Sequence, residues 1–311
     1  MLTAALGTLG RHATLVMAGG VFLGLLLPDA ARLLRPLLAP AILFMLALTM
    51  VRTDWPALVH RVRRPGPALA AIAWLLLVSA PLMLLLASPF APAPDIAVML
   101  VLFASAPPIV SSAAIALLLR LEPPLALIAG TVATLLVPLT MPPVALLLLG
   151  LELDVALGEF MLRLGWLIGG AVVAAAVLRR WLGPRRLAER AEQIDGLIVA
   201  GMIVFAIAVM DGVTAQILAD PAGVAAIVAL AFAANLSFQA LGAVAFLPLG
   251  RRAALTVGLM SGNRNMGLVL AALGASASPS FVLFVAAAQF PIYLLPALQR
   301  RSYPALLAGR D

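Results

Sequence analysis

The side chain that promises most chemistry is Arg264, a fixed cation in a run that is otherwise apolar. Residues 253–273 read AALTVGLMSGNRNMGLVLAAL, and the polar island Ser261-Gly262-Asn263-Arg264-Asn265 sits near the middle. At about 1.5 Å per residue, that places Arg264 close to the bilayer midplane. A guanidinium there costs about 3 kcal/mol even on insertion scales, so it marks a functional site unless it snorkels to a headgroup. Its five donors in a planar fork suit two partners: carbonyl oxygens on unwound backbone, or an anionic substrate. The first role is favoured and the second stays open. Polar residues available to line such a site are Asn263, Asn265, Ser111, Ser112, Thr131 and Thr134. Asn235 and Gln239 join them, four residues apart and therefore on one helical face.

Other reactive types are sparse. Asp211 is the one acid within an apolar run that can carry a proton, and before Gly212 it reads rather as an interfacial residue. His12 and His60 fall at the margins of apolar runs, which does not suit a relay. Ser111 and Ser112 follow a proline pair and read equally as a helix N-cap and as a polar cavity lining. Met210, Met260 and Met266 fit apolar packing. The chain has no cysteine, hence no disulfide, thiolate metal site or cysteine nucleophile. With no cluster of histidines or carboxylates at membrane depth, an enzyme is not expected, nor a metal or cofactor.

The elements that must hold these residues are helices in lipid. Of 311 residues, 64% are hydrophobic and 11% charged, against about 25% charged in soluble domains. Apolar runs fall at about 11–28, 34–52, 67–87, 95–119 and 123–150, then 157–178, 194–216, 222–247, 252–273 and 279–298. The expectation is an all-α polytopic protein with ten transmembrane helices. The first run lacks a small-residue cleavage site and reads as a retained helix. A pI near 11.4 would suit nucleic acid, but all 20 basic residues are arginine and nearly all lie between apolar runs, as topology signals do. With the N-terminus inside, Arg11, Arg52, Arg61, Arg63, Arg64, Arg120, Arg179, Arg180, Arg185, Arg186, Arg190, Arg251, Arg252, Arg300, Arg301 and Arg310 are cytoplasmic. Arg32, Arg35 and Arg163 fall outside, near Asp29, Glu152, Asp154, Glu159 and Asp220. The absence of lysine fits a GC-rich bacterial genome, so a bacterial inner membrane with both termini cytoplasmic is expected. Trp55, Trp74, Trp166 and Trp181 mark interfaces in part, and Gly19, Gly20, Gly24, Gly169 and Gly170 fit close helix packing.

Five spans per half would make the halves run in opposite senses, which is an inverted repeat. The fourth span of each half carries a breaking signal: Pro107-Pro108 in one, Gly262 with its polar neighbours in the other. Prolines remove donors, and Gly262 permits unwound backbone. Matched breaks point to a transport site near the midplane.

Here the residues resemble the bile acid:sodium symporter family. The segments PPIVSSAAIALLLRLEPPLALIAGTVATLLVP, GNRNMGLVLAAL and FMLALTMVRTDW carry the likeness. It implies broken, crossing helices 4 and 9. It also implies a panel domain (1–53 and 155–216), a core domain (67–150 and 222–298), and substrate bound between them. Against the family's sodium ligands, Ser112 is retained, but Ala113, Ala126, Gly130, Met260, Arg264 and Leu76 stand at other ligand positions, with Thr131 and Thr134 near by. Sodium favours five or six oxygen ligands, as hard cations do. One fixed cation replaces that set. The expected function is a secondary transporter of a small organic anion by alternating access, not coupled to sodium. A sodium-coupled symporter using backbone ligands and an arsenite- or auxin-type efflux carrier of the same fold are the alternatives. Expected partners are the substrate and the lipid bilayer, without nucleic acid or an obligatory protein.

Overall fold

The computed structural model describes residues 13–53, 55, 65–150 and 155–308. Arg11, His12, His60, Arg61, Arg63, Arg64, Glu152, Asp154 and Arg310 lie outside the described residues. The described helices are α1 (Ala13–Leu26), α2 (Pro28–Leu34), α3 (Leu38–Arg52), α4 (Pro65–Ala73), α5 (Ser79–Ala87), α6 (Pro94–Ser105), α7 (Ser112–Leu118) and α8 (Pro123–Leu149). They continue with α9 (Leu157–Glu189), α10 (Ala191–Ala208), α11 (Val213–Ala219), α12 (Pro221–Ala245), α13 (Arg251–Gly262), α14 (Met266–Leu273) and α15 (Pro279–Ala308). Helices opening at Pro28, Pro65, Pro94, Pro123, Pro221 and Pro279 start on proline, whose missing N–H costs nothing there and whose φ is already helical.

Seven helical stretches among the described residues are long and apolar enough to cross a membrane: 28–52, 66–90, 123–149, 157–189, 191–219, 221–245 and 279–303. This is a multi-pass membrane protein. The runs at 95–119 and 252–273 are not continuous helices. Each divides into two short ones, α6 with α7 and α13 with α14. One turn of the 66–90 stretch, Trp74–Val78, is π-helical.

The chain divides into two compact units, one of residues 1–54 and 165–225, the other of 55–164 and 226–311. In the first, α10 packs against α1 and α3. Glycines set that closeness: a Cβ on Gly24 would lie 2.8 Å from the Ile207 carbonyl, and one on Gly201 2.7 Å from Met45. Gly20 also faces α10, whereas Gly19 and Gly169 meet nothing and Gly170 makes only ordinary contact with Leu43. Asp211 accepts from Arg35 at 2.8 Å, which assigns it an ion pair. In the second unit, α8 packs against α4, α6, α7 and α13, and α15 against α6, α13 and α14. Met260 and Met266 are buried there, and Met210 is buried in the first unit.

Candidate functional site: a guanidinium at two paired helix breaks

The first break follows from proline. Pro107 biases Ala106 away from the helical region, and Ala106 is extended at φ −63°, ψ 148°. Helix α6 therefore ends at Ser105, and α7 begins at Ser112. Ser111 occupies the N-cap position of α7 but makes no side-chain cap bond, and the Ser112 hydroxyl turns back to the Ile109 carbonyl at 2.7 Å. The serine pair is thus not a capping device. The second break spans Asn263, Arg264 and Asn265. Asn265 caps α14 by accepting from the Leu268 N–H at 3.2 Å.

The two breaks pair with each other. Pro108 and Arg264 form an isolated antiparallel bridge, in which the Ile109 N–H donates to the Asn263 carbonyl at 2.9 Å and the Asn265 N–H to the Pro107 carbonyl at 2.7 Å. Backbone groups that leave a helix in lipid must find other partners, and each break supplies them to the other.

Arg264 closes this junction from inside, with no exposed surface. Its Nε donates to the Ser261 carbonyl at 2.7 Å. One terminal nitrogen, Nη1, donates to the carbonyls of Ala106 (2.8 Å) and Leu75 (3.0 Å), and the other, Nη2, to the Ser79 hydroxyl at 2.8 Å. All four acceptors are neutral, and no acid pairs with Arg264 among the described residues. The Leu75 carbonyl belongs to the π-helical turn, where Ser79 also donates to the Trp74 carbonyl at 2.7 Å. The Trp74 indole N–H donates to the Ser261 hydroxyl at 2.8 Å, tying the same turn to α13. The guanidinium therefore crosslinks three stretches of chain through oxygens that a small bound cation would also seek.

The remaining polar residues sort differently from the expectation. Asn235 and Gln239 do not reach the guanidinium. Gln239 donates to Asn235 at 2.7 Å, and Asn235 donates to the Gly262 carbonyl at 2.7 Å. Gln299 in turn donates to Gln239 at 2.5 Å, so a one-directional chain of amides runs from α15 to the end of α13. Thr134 bonds its own helix at Gly130, Thr131 is half-buried on α8, and neither Thr131 nor Ser112 bonds Arg264. Asn263 is fully buried and donates to the Leu259 carbonyl at 2.8 Å, while its Oδ1 has no partner. Gly262 is not an unwinding device, since it is the last residue of α13. It is needed for closeness: a Cβ there would collide with Gln239 and sit 2.5 Å from the Asn235 carbonyl. Gly258, one turn earlier, meets the Gln239 carbonyl in the same way, so Gly258 and Gly262 let α13 press against α12.

Ser79, Leu75 and Ala106 are the partners of Arg264 that the residue types did not reveal. The only signal was a lone serine two residues before Pro81 in an apolar run, because carbonyl acceptors have no side-chain signature. No group of three or more His, Cys, Asp or Glu side chains able to hold a metal occurs among the described residues. No protein-family model matches the chain, and no curated protein matches its sequence.

Proposed function

We propose that this protein is a secondary transporter of the bile acid:sodium symporter fold, moving a small organic anion by alternating access without sodium coupling. The observation that carries the reading is the Arg264 guanidinium on four neutral oxygens at two paired helix breaks. Discontinuous helices meeting inside a multi-pass protein are the usual setting of a transport site, where released carbonyls and amides can bind ions or substrate. Here a covalently attached cation already holds those carbonyls. In the proposed topology ten spans form two inverted five-helix repeats, with the termini and the arginine-rich connections on the cytoplasmic side of a bacterial inner membrane. Of the alternatives, an arsenite carrier is disfavoured by the absence of cysteine, the soft ligand suited to metalloids. Sodium binding through backbone carbonyls alone competes with Arg264 for Ala106 and Leu75.

The test is a thermal-shift titration of purified protein against a panel of carboxylate and sulfonate anions, in sodium and in potassium. A ligand bound only to the folded state stabilises it by about 2.7 kcal/mol at a hundred times its Kd. An organic anion should raise Tm equally in both salts, and exchanging sodium for potassium should leave Tm unchanged. A sodium-specific rise would refute the uncoupled mechanism and favour the backbone-ligand alternative. Reporter fusions after Arg190 and Arg310 should both read cytoplasm, and a periplasmic signal at either would refute the inverted repeat.

A further inference from the structure

The end of α9 and Arg190, which precedes α10, carry arginines of two kinds. Arg179, Arg180, Arg185, Arg186 and Arg190 lie within 12 residues, accompanied by the acids Glu189 and Glu192. Arg179 is turned inward, where its Nη1 donates to the Val51 carbonyl at 2.8 Å and the Thr53 carbonyl at 2.7 Å, closing the end of α3. Arg185 pairs with Glu189 at 3.0 Å. Arg180, Arg186 and Arg190 are exposed and have no ion pair among the described residues.

The apolar face that precedes them fixes where they stand. Trp166, Val173, Val177 and Trp181 recur at seven- and four-residue steps along α9, and are 78%, 63%, 49% and 81% exposed. That stripe faces lipid. It ends at Trp181, and Gly183, at φ 70°, then turns the chain before Pro184. Indoles gather at the boundary of the hydrocarbon core, and Trp181, the last residue of the stripe, adjoins the arginine-rich end of α9. Trp181 therefore sets the depth of the headgroup layer, and the unpaired guanidinium groups flank it on both sides in sequence. The indole N–H of Trp181 has no partner among the described residues either. Exposed donors thus outnumber the exposed acceptors of this segment.

We infer that this segment is a docking site for the phosphodiester headgroup of an anionic phospholipid, held by Arg180, Arg186 and Arg190, which flank Trp181 in sequence. Guanidinium forks match phosphate oxygens bidentately, and the indole contributes an interfacial anchor with one donor. The site shares no residue with the Arg264 junction.

The experiment is a native mass spectrometry titration of the full chain with phosphatidylglycerol and with phosphatidylcholine of identical acyl chains. Wild type should bind phosphatidylglycerol at least tenfold more tightly. Each surface arginine contributes about fivefold, so the combined R180Q, R186Q and R190Q variant should lose roughly a hundredfold and show no headgroup preference. Arg179→Gln should lower Tm yet keep the preference, because that arginine serves α3. Retention of the preference by the triple variant would overturn the assignment, as would its absence from wild type. Inorganic phosphate at equal concentration should leave bound lipid in place. Displacement by it would make this a site for free anions and reject the lipid.

Discussion

The two helix breaks are made in opposite ways. Between α6 and α7, Pro107 and Pro108 bring no N–H and Ala106 is extended, but the Pro142-Pro143 pair lies inside the continuous helix α8, so a proline pair favours a break without compelling one. Between α13 and α14 there is no proline, and Asn263, Arg264 and Asn265 could each sit in a helix at modest cost. That helix stops because its groups find better partners elsewhere: Ile109, the Pro107 carbonyl, and the four acceptors around the guanidinium. The half-helices beyond the breaks also end differently. Helix α14 closes on Gly274 at φ 56°, whereas α7 closes on Arg120 at φ 58°, a left-handed position taken by a residue with a Cβ. The Leu121 N–H to the Ala116 carbonyl at 2.8 Å and the Arg120 N–H to Leu117 at 3.1 Å complete a Schellman turn there. One break has a covalent bias toward ending the helix, and the other rests on its partners.

The largest test of that contrast is Arg264→Ala. It takes a donor from three carbonyls and from the Ser79 hydroxyl, which keeps its own bond to Trp74, and a group left unpaired in a dry site costs about 1–3 kcal/mol. Relief from burying a charge without a counter-ion offsets part of this. A net loss of about 3 kcal/mol is expected in equilibrium unfolding in detergent. Arg264→Lys should recover only a fraction, since a point charge cannot span the fan of acceptors. Millimolar methylguanidinium should raise the Tm of the alanine variant but not of wild type. A failure to do so would show that the junction collapses when Arg264 is removed.

Pro108→Ala attacks the other break by adding one N–H to a buried segment. A loss of about 1.5 kcal/mol is expected from that unsatisfied donor, smaller than for Arg264→Ala. A larger loss than Arg264→Ala would reverse the ranking of the two breaks. Asn265→Ala removes the cap of α14 and should cost about 1 kcal/mol in the same unfolding measurement. The smallest effect is a gain. Arg120→Gly relieves about 1–2 kcal/mol of left-handed strain, less what glycine adds to the freedom of the unfolded chain, so stability should rise by about 0.5 kcal/mol. A decrease would mean that the Arg120 side chain holds something its backbone alone does not.

Much of the site was legible in residue types, and for a physical reason. An intramembrane charge, a proline pair and a glycine among apolar residues each break a local rule, and rule-breaking is visible without coordinates. The identities of the guanidinium's partners were not legible. Ser112, Thr131, Asn235 and Gln239 were the expected neighbours because they are polar, yet three of the four bonds go to main-chain carbonyls, which every residue carries. The π-helical turn that presents the Leu75 carbonyl leaves no mark in WLLLVS, since its register depends on Ser79 and Trp74 being drawn toward α13. Gly262 misled for a related reason. Its value is the space it leaves for Gln239 and Asn235, a property of two helices and not of one.

From the sequence alone followed a helical protein that crosses the membrane several times, a breaking signal at Pro107-Pro108, and an arginine that lipid could not solvate. Apolarity, proline geometry and a permanent charge act locally, on whatever chain carries them. Tertiary structure alone decided that the second break pairs with the first, and that Arg264 spends four donors on neutral oxygens from three stretches of chain. Hydrogen bonds between backbones are blind to side-chain identity, so only the approach of distant segments can select them.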